Sequence, residues 1–215
     1  MSSQQGRGLA IVVSGPSGSG KTTLVKRLMM RSPGSHFSLS ATSRQLRGDE
    51  VDGVDYRYLS RMEFTGLRDG QGMLEWALVH GEFYGTPRSE VLPYLQEGRL
   101  VFLDIDVQGG LQVKAALGAE AFLLYVLPPD WRTLEARLRS RKTDAEASIR
   151  KRLANARWEL EQLPSYDAVV VNADLDRAVE EAWALIEARH RNLPEWLADG
   201  GRAYLRDHFE LELPS

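Results

Sequence analysis

A three-layer α/β sandwich on a central parallel sheet, with a small polar insertion and a basic helical segment, is the architecture the 215-residue sequence predicts. Three observations predict it. Short apolar runs that read as buried strands alternate with stretches of helical spacing, as a doubly wound parallel sheet requires. Between the first strand–helix unit and the next, Ser38 to Gly98 turns polar, glycine-dotted and rich in Arg, Asp, Glu and Tyr. Residues 131–157 then hold nine basic side chains against three acidic ones.

In chain order, Leu9-Ala10-Ile11-Val12-Val13 reads as the first buried strand, and Thr23 to Met29 as a helix with Leu24, Val25 and Leu28 on one face. Between them, Gly15-Pro16-Ser17-Gly18-Ser19-Gly20-Lys21-Thr22 fits G-x-x-x-x-G-K-[ST]. Glycines allow positive φ and converging N–H groups, so loop and helix N-terminus together make a cage for phosphate oxygens. Lys21 then reaches the outer phosphates and the Thr22 hydroxyl faces Mg²⁺. An ordinary glycine-rich turn is the bland alternative; the strand before and the helix after argue against it. Ser32-Pro33-Gly34-Ser35 is turn chemistry, and the insertion after it carries short alternating pieces such as Tyr56-Arg57-Tyr58-Leu59. Core text resumes at Leu100-Val101-Phe102-Leu103-Asp104-Ile105-Asp106, followed by a helix from about Gln108 to Leu117. Phe122 to Val126 is another buried strand, stopped by Pro128-Pro129. Ala168 to Val171 is a further strand ending at Asn172, and Asp174 caps a helix with the apolar stripe Leu175, Ala178, Val179, Ala182, Leu185 and Ile186. From Leu193 on, Trp196, Tyr204, Leu205 and Phe209 stand among charges and are expected to pack on the body. The boundaries implied are core with loop 1–38, inserted lobe 39–98, core 99–130, basic segment 131–157, core 158–191 and a C-terminal extension 192–215 of no evident role.

Composition narrows the function. Hydrophobic residues make up 43% of the chain, enough for a real core. Lys plus Arg (27) nearly balances Asp plus Glu (30), so no global field draws in nucleic acid or anionic membrane. Without cysteine there is no disulfide, thiol catalysis or zinc–thiolate site, which suits a cytoplasmic protein. No apolar stretch is long enough to span a bilayer, and monomer and homo-oligomer both stay open.

Several residues then carry chemistry. Asp104 ends a buried strand, where a carboxylate can hold the shell of Mg²⁺; a solvated strand-end acid is the alternative. Asp106, two residues on, is expected on the same side of that strand. In Ser40 to Tyr56, Arg44 and Arg47 lie among hydroxyls, a donor set suited to a phosphate monoester, although the stretch taken alone fits a solvated loop equally well. Glu75 beside Trp76, and the turn Tyr84-Gly85-Thr86, supply an acid near an indole and hydroxyls. A carboxylate reads guanine, whose Watson–Crick edge offers N1–H and N2–H₂ side by side; adenine presents only one donor there. Arg137 and Arg141, four apart on a predicted helix, share a face. His36, His80, His190 and His208 lie outside every motif.

Taken together these motifs resemble guanylate kinase over about residues 8–190. The resemblance implies a P-loop NTPase three-layer sandwich with central parallel sheet, an inserted small mixed α/β GMP-binding lobe and a helical lid. It implies ATP as co-substrate with Mg²⁺ on Thr22 and Asp104, and transfer of the γ-phosphoryl group to GMP and dGMP. Gly15 to Thr23 would hold ATP phosphates, and Asn172 lies where the family contacts adenine. Ser40, Arg44, Arg47, Tyr56 and Tyr84 would hold the GMP phosphate; Glu75, Thr86 and Asp106 would read the guanine, with Gly85 also substrate-binding; and Lys21, Arg44, Arg137, Arg141 and Arg152 would be catalytic, the last three in the lid. The family's Thr-Thr-Arg-x-Pro-Arg appears here as Thr42-Ser43-Arg44-Gln45-Leu46-Arg47, which removes a rigid turn residue, and Lys142 stands where the lid has glycine. Two rival readings share these features: a guanylate-kinase-like protein-binding module without chemistry, and a kinase of the same layout with another acceptor.

Overall fold

Strand β1 (Leu9–Ser14) is buried at every residue. It runs through the glycine-rich loop into helix α1 (Lys21–Arg31), which starts two residues before the apolar periodicity does and buries Leu24, Val25 and Leu28. The computed structural model describes residues 8–140, 146–189 and 191–213. After α1 come three two-residue strands, β2 (His36–Phe37), β3 (Ala41–Thr42) and β4 (Arg57–Tyr58). Helix α2 (Arg61–Asp69) opens on a capping box in which Ser60 and Glu63 satisfy each other's backbone N–H. Strands β5 (Met73–Val79) and β6 (Glu82–Pro87) form a hairpin whose turn holds His80 and Gly81, both at positive φ. Helix α3 (Leu92–Gln96), strand β7 (Leu100–Asp104), helix α4 (Val107–Leu117) and the wholly buried β8 (Ala121–Leu127) follow. The chain then forms α5 (Trp131–Arg139), α6 (Glu146–Glu161), β9 (Ala168–Val171), α7 (Leu175–Ala188), α8 (Leu193–Trp196) and α9 (Arg202–Phe209).

Two compact units emerge, one of Met1–Val12 with Ser32–Ala121, the other of Val13–Arg31 with Phe122–Ser215. The division passes through β1, within a five-stranded sheet of order β2-β7-β1-β8-β9. Within the first unit β2 lies parallel to β7, with His36 opposite Val101. Within the second β8 lies parallel to β9, with Leu124 opposite Ala168. Long apolar strands without alternation are what a sheet covered on both faces demands.

The first unit also holds a four-stranded mixed sheet, β4-β3-β6-β5. Its own small core is Ala41, Phe64, Met73 and Phe83, with Leu59 and Leu67 against it and the Phe64 and Phe83 rings stacked 5.2 Å apart. So small a core has little to spare: Phe64→Ala is expected to cost about 3–5 kcal/mol, read from the denaturant midpoint.

In the second unit α1 and α7 lie side by side, joined by Arg27–Asp176 at 2.5 Å and by an Arg31–Glu180 pair. Helices α5 and α6 share a core of Leu134, Leu138 and Ala156. The tail packs as its aromatics suggest: Leu205 and Phe209 are buried, the Tyr204 hydroxyl donates to the Pro129 carbonyl, and Arg157 donates to the Glu210 carbonyl at 3.1 Å.

Candidate active site

In the second unit β1 delivers the chain to Gly15, and the loop returns it at Lys21 as the first residue of α1. Gly15, Gly18 and Gly20 have φ of 141°, 95° and 95°, conformations that L side chains rarely adopt. A Cβ on Gly15 would stand 2.3 Å from the Val126 carbonyl oxygen, which is β8 backbone and has nowhere to go. Gly15→Ala is therefore expected to destabilise the protein by about 2–4 kcal/mol, seen as a lower unfolding midpoint. The Lys21 ammonium reaches back over the loop to the carbonyls of Gly15 (2.7 Å) and Pro16 (3.2 Å). Thr22 and Thr23 are exposed on the first turn of α1, the helix end whose dipole favours anions. Ser19 is buried and its hydroxyl has no hydrogen-bond partner among the described residues.

The base of the loop is braced by two residues distant in sequence. Asn172, just after β9, receives its position from the Leu127 carbonyl (2.7 Å) and donates its side-chain amide to the Ser19 carbonyl at 2.8 Å. Asn172, which the resemblance sets near adenine, also braces the phosphate loop. Arg137 in the last turn of α5 donates to the Gly18 carbonyl at 3.3 Å. Helix α5 is described to Arg139; Arg141, expected to share a helix face with Arg137, lies outside the described residues, as do Lys142 and His190. Arg152 is half-buried on α6.

In the first unit Ser40, Tyr56, Glu75, Ala77, Val79, Tyr84, Gly85, Asp104, Ile105 and Asp106 line one cavity of about 230 Å³. The β5–β6 register sets Glu75 opposite Thr86 and Trp76 opposite Gly85. The Thr86 hydroxyl accordingly donates to Glu75 Oε1 at 2.7 Å. Gly85 has no room for a side chain, since a Cβ would meet the Glu75 carbonyl at 2.5 Å. Gln112 of α4 clamps the next peptide, accepting from the Trp76 N–H (3.2 Å) and donating to its carbonyl (3.3 Å). Glu75 is 7% exposed. Burial, helped by the nearby Asp106 charge, pushes its pKa up to about 7 against the pull of the Thr86 hydrogen bond.

Asp106 corrects the strand-face expectation. Strand β7 ends at Asp104, and Asp106 is the N-cap of α4, accepting from the Gly109 N–H at 2.7 Å. A short acceptor side chain satisfies an orphan N–H there better than any residue of a continuing strand. Asp104 and Asp106 face one cavity nonetheless.

Arg44 is buried and stands bidentate on Glu50, both contacts 2.6 Å, with its guanidinium 5.3 Å from the Tyr56 ring centre and 5.6 Å from that of Tyr58. Glu50 also accepts the Arg47 N–H (2.9 Å) and the Tyr58 hydroxyl (2.7 Å). These donors hold its carboxyl down at about 2. The Arg47 side chain is exposed, and Tyr56 meets Tyr84 edge-on at 6.0 Å. Glu50, Tyr58 and Gln112 escape sequence reasoning, for each acts on a neighbour brought close only by the fold.

An anion cradle at a strand–loop–helix and a separate carboxylate-backed cavity on an α/β scaffold define the class: a P-loop protein of the nucleoside-phosphate-handling kind. A guanylate kinase family model matches residues 7–189. The chain is 47% identical over 197 residues to a guanylate kinase of Anaeromyxobacter dehalogenans, covering 91% of this chain and 87% of that one. It is 48% identical over 174 residues to one from Nitratidesulfovibrio vulgaris, covering 81% and 84%. A crystal structure of guanylate kinase from Anaplasma phagocytophilum superposes with a TM-score of 0.68 at 28% identity, over 88% of this chain and 93% of that one. The chain belongs to the guanylate kinase family.

Proposed function

We propose that the protein is an ATP:GMP phosphotransferase, taking GMP and dGMP as acceptors, in which Glu75 selects the base. The observation that carries this reading is the buried Glu75 carboxylate beside the Thr86 hydroxyl. Ionised, it offers two acceptors to the adjacent N1–H and N2–H₂ of guanine, whereas adenine sets a lone pair against one of them; such bidentate contacts discriminate by about 1–3 kcal/mol. Asp106 adds an acceptor in the same cavity.

The attacking oxygen belongs to the GMP phosphate and is anionic near neutral pH, so no general base is needed. What the chemistry demands is in-line positioning and charge cancellation between two polyanions. Ser40, Arg44, Arg47, Tyr56 and Tyr84 serve the acceptor phosphate. The loop Gly15–Thr23 and Lys21 serve the ATP phosphates, with Arg137, Arg141 and Arg152 drawing off charge in the transition state. Thr22 gives a hard oxygen in the exposed first turn of α1 and Asp104 a carboxylate, donors of the type Mg²⁺ takes when phosphates and water complete its shell. When bound, Mg²⁺ would offset negative charge on the nucleotide phosphates. No helix among the described residues is long and apolar enough to cross a membrane, and we place the enzyme in the cytoplasm.

ATP-dependent phosphorylation across the nucleoside monophosphates, with and without Mg²⁺, tests this. GMP and dGMP should be the preferred acceptors and Mg²⁺ should be required; preference for AMP or a pyrimidine monophosphate overturns the base assignment.

A further inference from the structure

We propose that Glu50 is a positioning residue for the acceptor phosphate: it occupies one edge of the Arg44 guanidinium, so that the other edge, Nε with Nη2, is the one offered to GMP. The inference rests on the GMP-kinase reading above.

A guanidinium is a rigid planar fork with two edges that can each grip an oxyanion, one made by Nη1 and Nη2, the other by Nε and Nη2. In Arg44 the first edge is fully engaged. Nη1 and Nη2 each stand 2.6 Å from a Glu50 oxygen, and Nη1 also donates to the Gln45 carbonyl at 2.9 Å. On the second edge, Nε is buried and has no hydrogen-bond partner among the described residues. A buried cationic N–H without an acceptor is costly unless an anion comes to it. The hydroxyl-bearing rings beside this guanidinium are Tyr56, Tyr58, whose hydroxyl is given to Glu50, and Tyr84, which after Glu50 helps to raise the Arg44 pKa; Tyr56 and Tyr84 line the cavity.

Glu50 is itself fixed rather than waiting to be displaced. Besides the two Arg44 contacts it takes the Arg47 N–H and the Tyr58 hydroxyl, so one carboxylate ties residues 44, 47 and 58 together. With its carboxyl held at about 2, it stays charged throughout the working range. Leu46, standing where the family has proline, is half exposed, and the loop is tied instead through the Glu50 contacts to residues 44, 47 and 58. Guanidinium orientation set by a second carboxylate is how a flexible arginine becomes a precise phosphate ligand.

Glu50→Gln and Glu50→Ala, each alone and in an Arg44→Ala background, test the assignment. In the wild-type background the KM for GMP should rise about 10- to 100-fold while kcat changes less than about threefold, and guanosine, which lacks the phosphate, should bind as before. In the Arg44→Ala background the same changes should cost less than about twofold, because the group through which Glu50 acts is gone. Glu50→Asp, which keeps the charge, should recover part of the loss. An unchanged or lowered KM overturns the proposal, the latter marking the carboxylate as a competitor of the phosphate. Equal loss of guanosine binding, or an undiminished effect without Arg44, overturns it in favour of general loop support. Wild-type protein inactive on GMP would instead sink the reading on which the proposal rests.

Discussion

Lys21→Met is expected to lower turnover by about three orders of magnitude or more while GMP binding stays nearly intact. Methionine keeps the length and much of the apolar stem, so helix α1 and its buried Leu24, Val25 and Leu28 should be undisturbed. What disappears is an ammonium that bridges the carbonyls of Gly15 and Pro16, at the mouth of a loop of positive-φ glycines. In water-excluded surroundings a fixed cation facing charge that grows on the transferred group is worth several kcal/mol, and about 4 kcal/mol corresponds to a thousandfold in rate. The residues that line the acceptor cavity, Ser40 to Asp106, do not include Lys21. Titrating GMP by calorimetry alongside a coupled ADP-release assay separates the two quantities. Joint loss of GMP affinity and turnover would undo the division of labour between loop and cavity.

Local chemistry is legible in the sequence, and contacts made only by the fold are not. The phosphate loop can be read because its chemistry is local: glycine for positive φ, a lysine and a hydroxyl at the helix start, an apolar strand before it. Long buried strands such as β8 announce themselves by composition. The two-residue strands β2, β3 and β4 are too short for any periodicity, and only cross-strand partners make them strands. Alternation cannot tell where a strand stops, so it puts Asp106 on a strand face, whereas the N-cap preference of aspartate takes over at the turn into α4. Asn172 could be seen to follow a strand, but its grip on the Ser19 carbonyl joins residues 153 apart and has no signature in the chain. The same holds for Glu50. Its spacing from Arg44 suggests nothing, since the contact depends on how the loop folds back on β3.

Glu75→Gln should change base selectivity, GMP affinity and the pH dependence of stability together, and the sign of each follows from one buried carboxyl. In the ligand-free protein burial raises the Glu75 pKa from 4.5 to about 7. A folded-state pKa above the unfolded one means that the native state prefers the proton. Stability from this group is thus fully present below about pH 4.5 and is lost as pH rises through about 7. The full shift corresponds to an upper bound of about 3 kcal/mol. Glutamine carries no charge to desolvate and can still accept the Thr86 hydroxyl through its oxygen, so the variant should be more stable than wild type at pH 8 by about 1–3 kcal/mol and little different at pH 4.5. Guanine, however, needs the ionised form. Wild-type affinity for GMP should fall roughly tenfold per pH unit below about 7, on top of the milder loss as the GMP phosphate takes up its own proton near pH 6. In the variant only the phosphate contribution should remain, and the glutamine NH₂ should face guanine's donors, relaxing discrimination by about 1–3 kcal/mol. Denaturant midpoints and GMP titrations from pH 5 to 8 on both proteins measure all of this. A stability difference that does not vary with pH, or a variant that still prefers GMP as strongly as wild type, would show that guanine is read elsewhere than at Glu75.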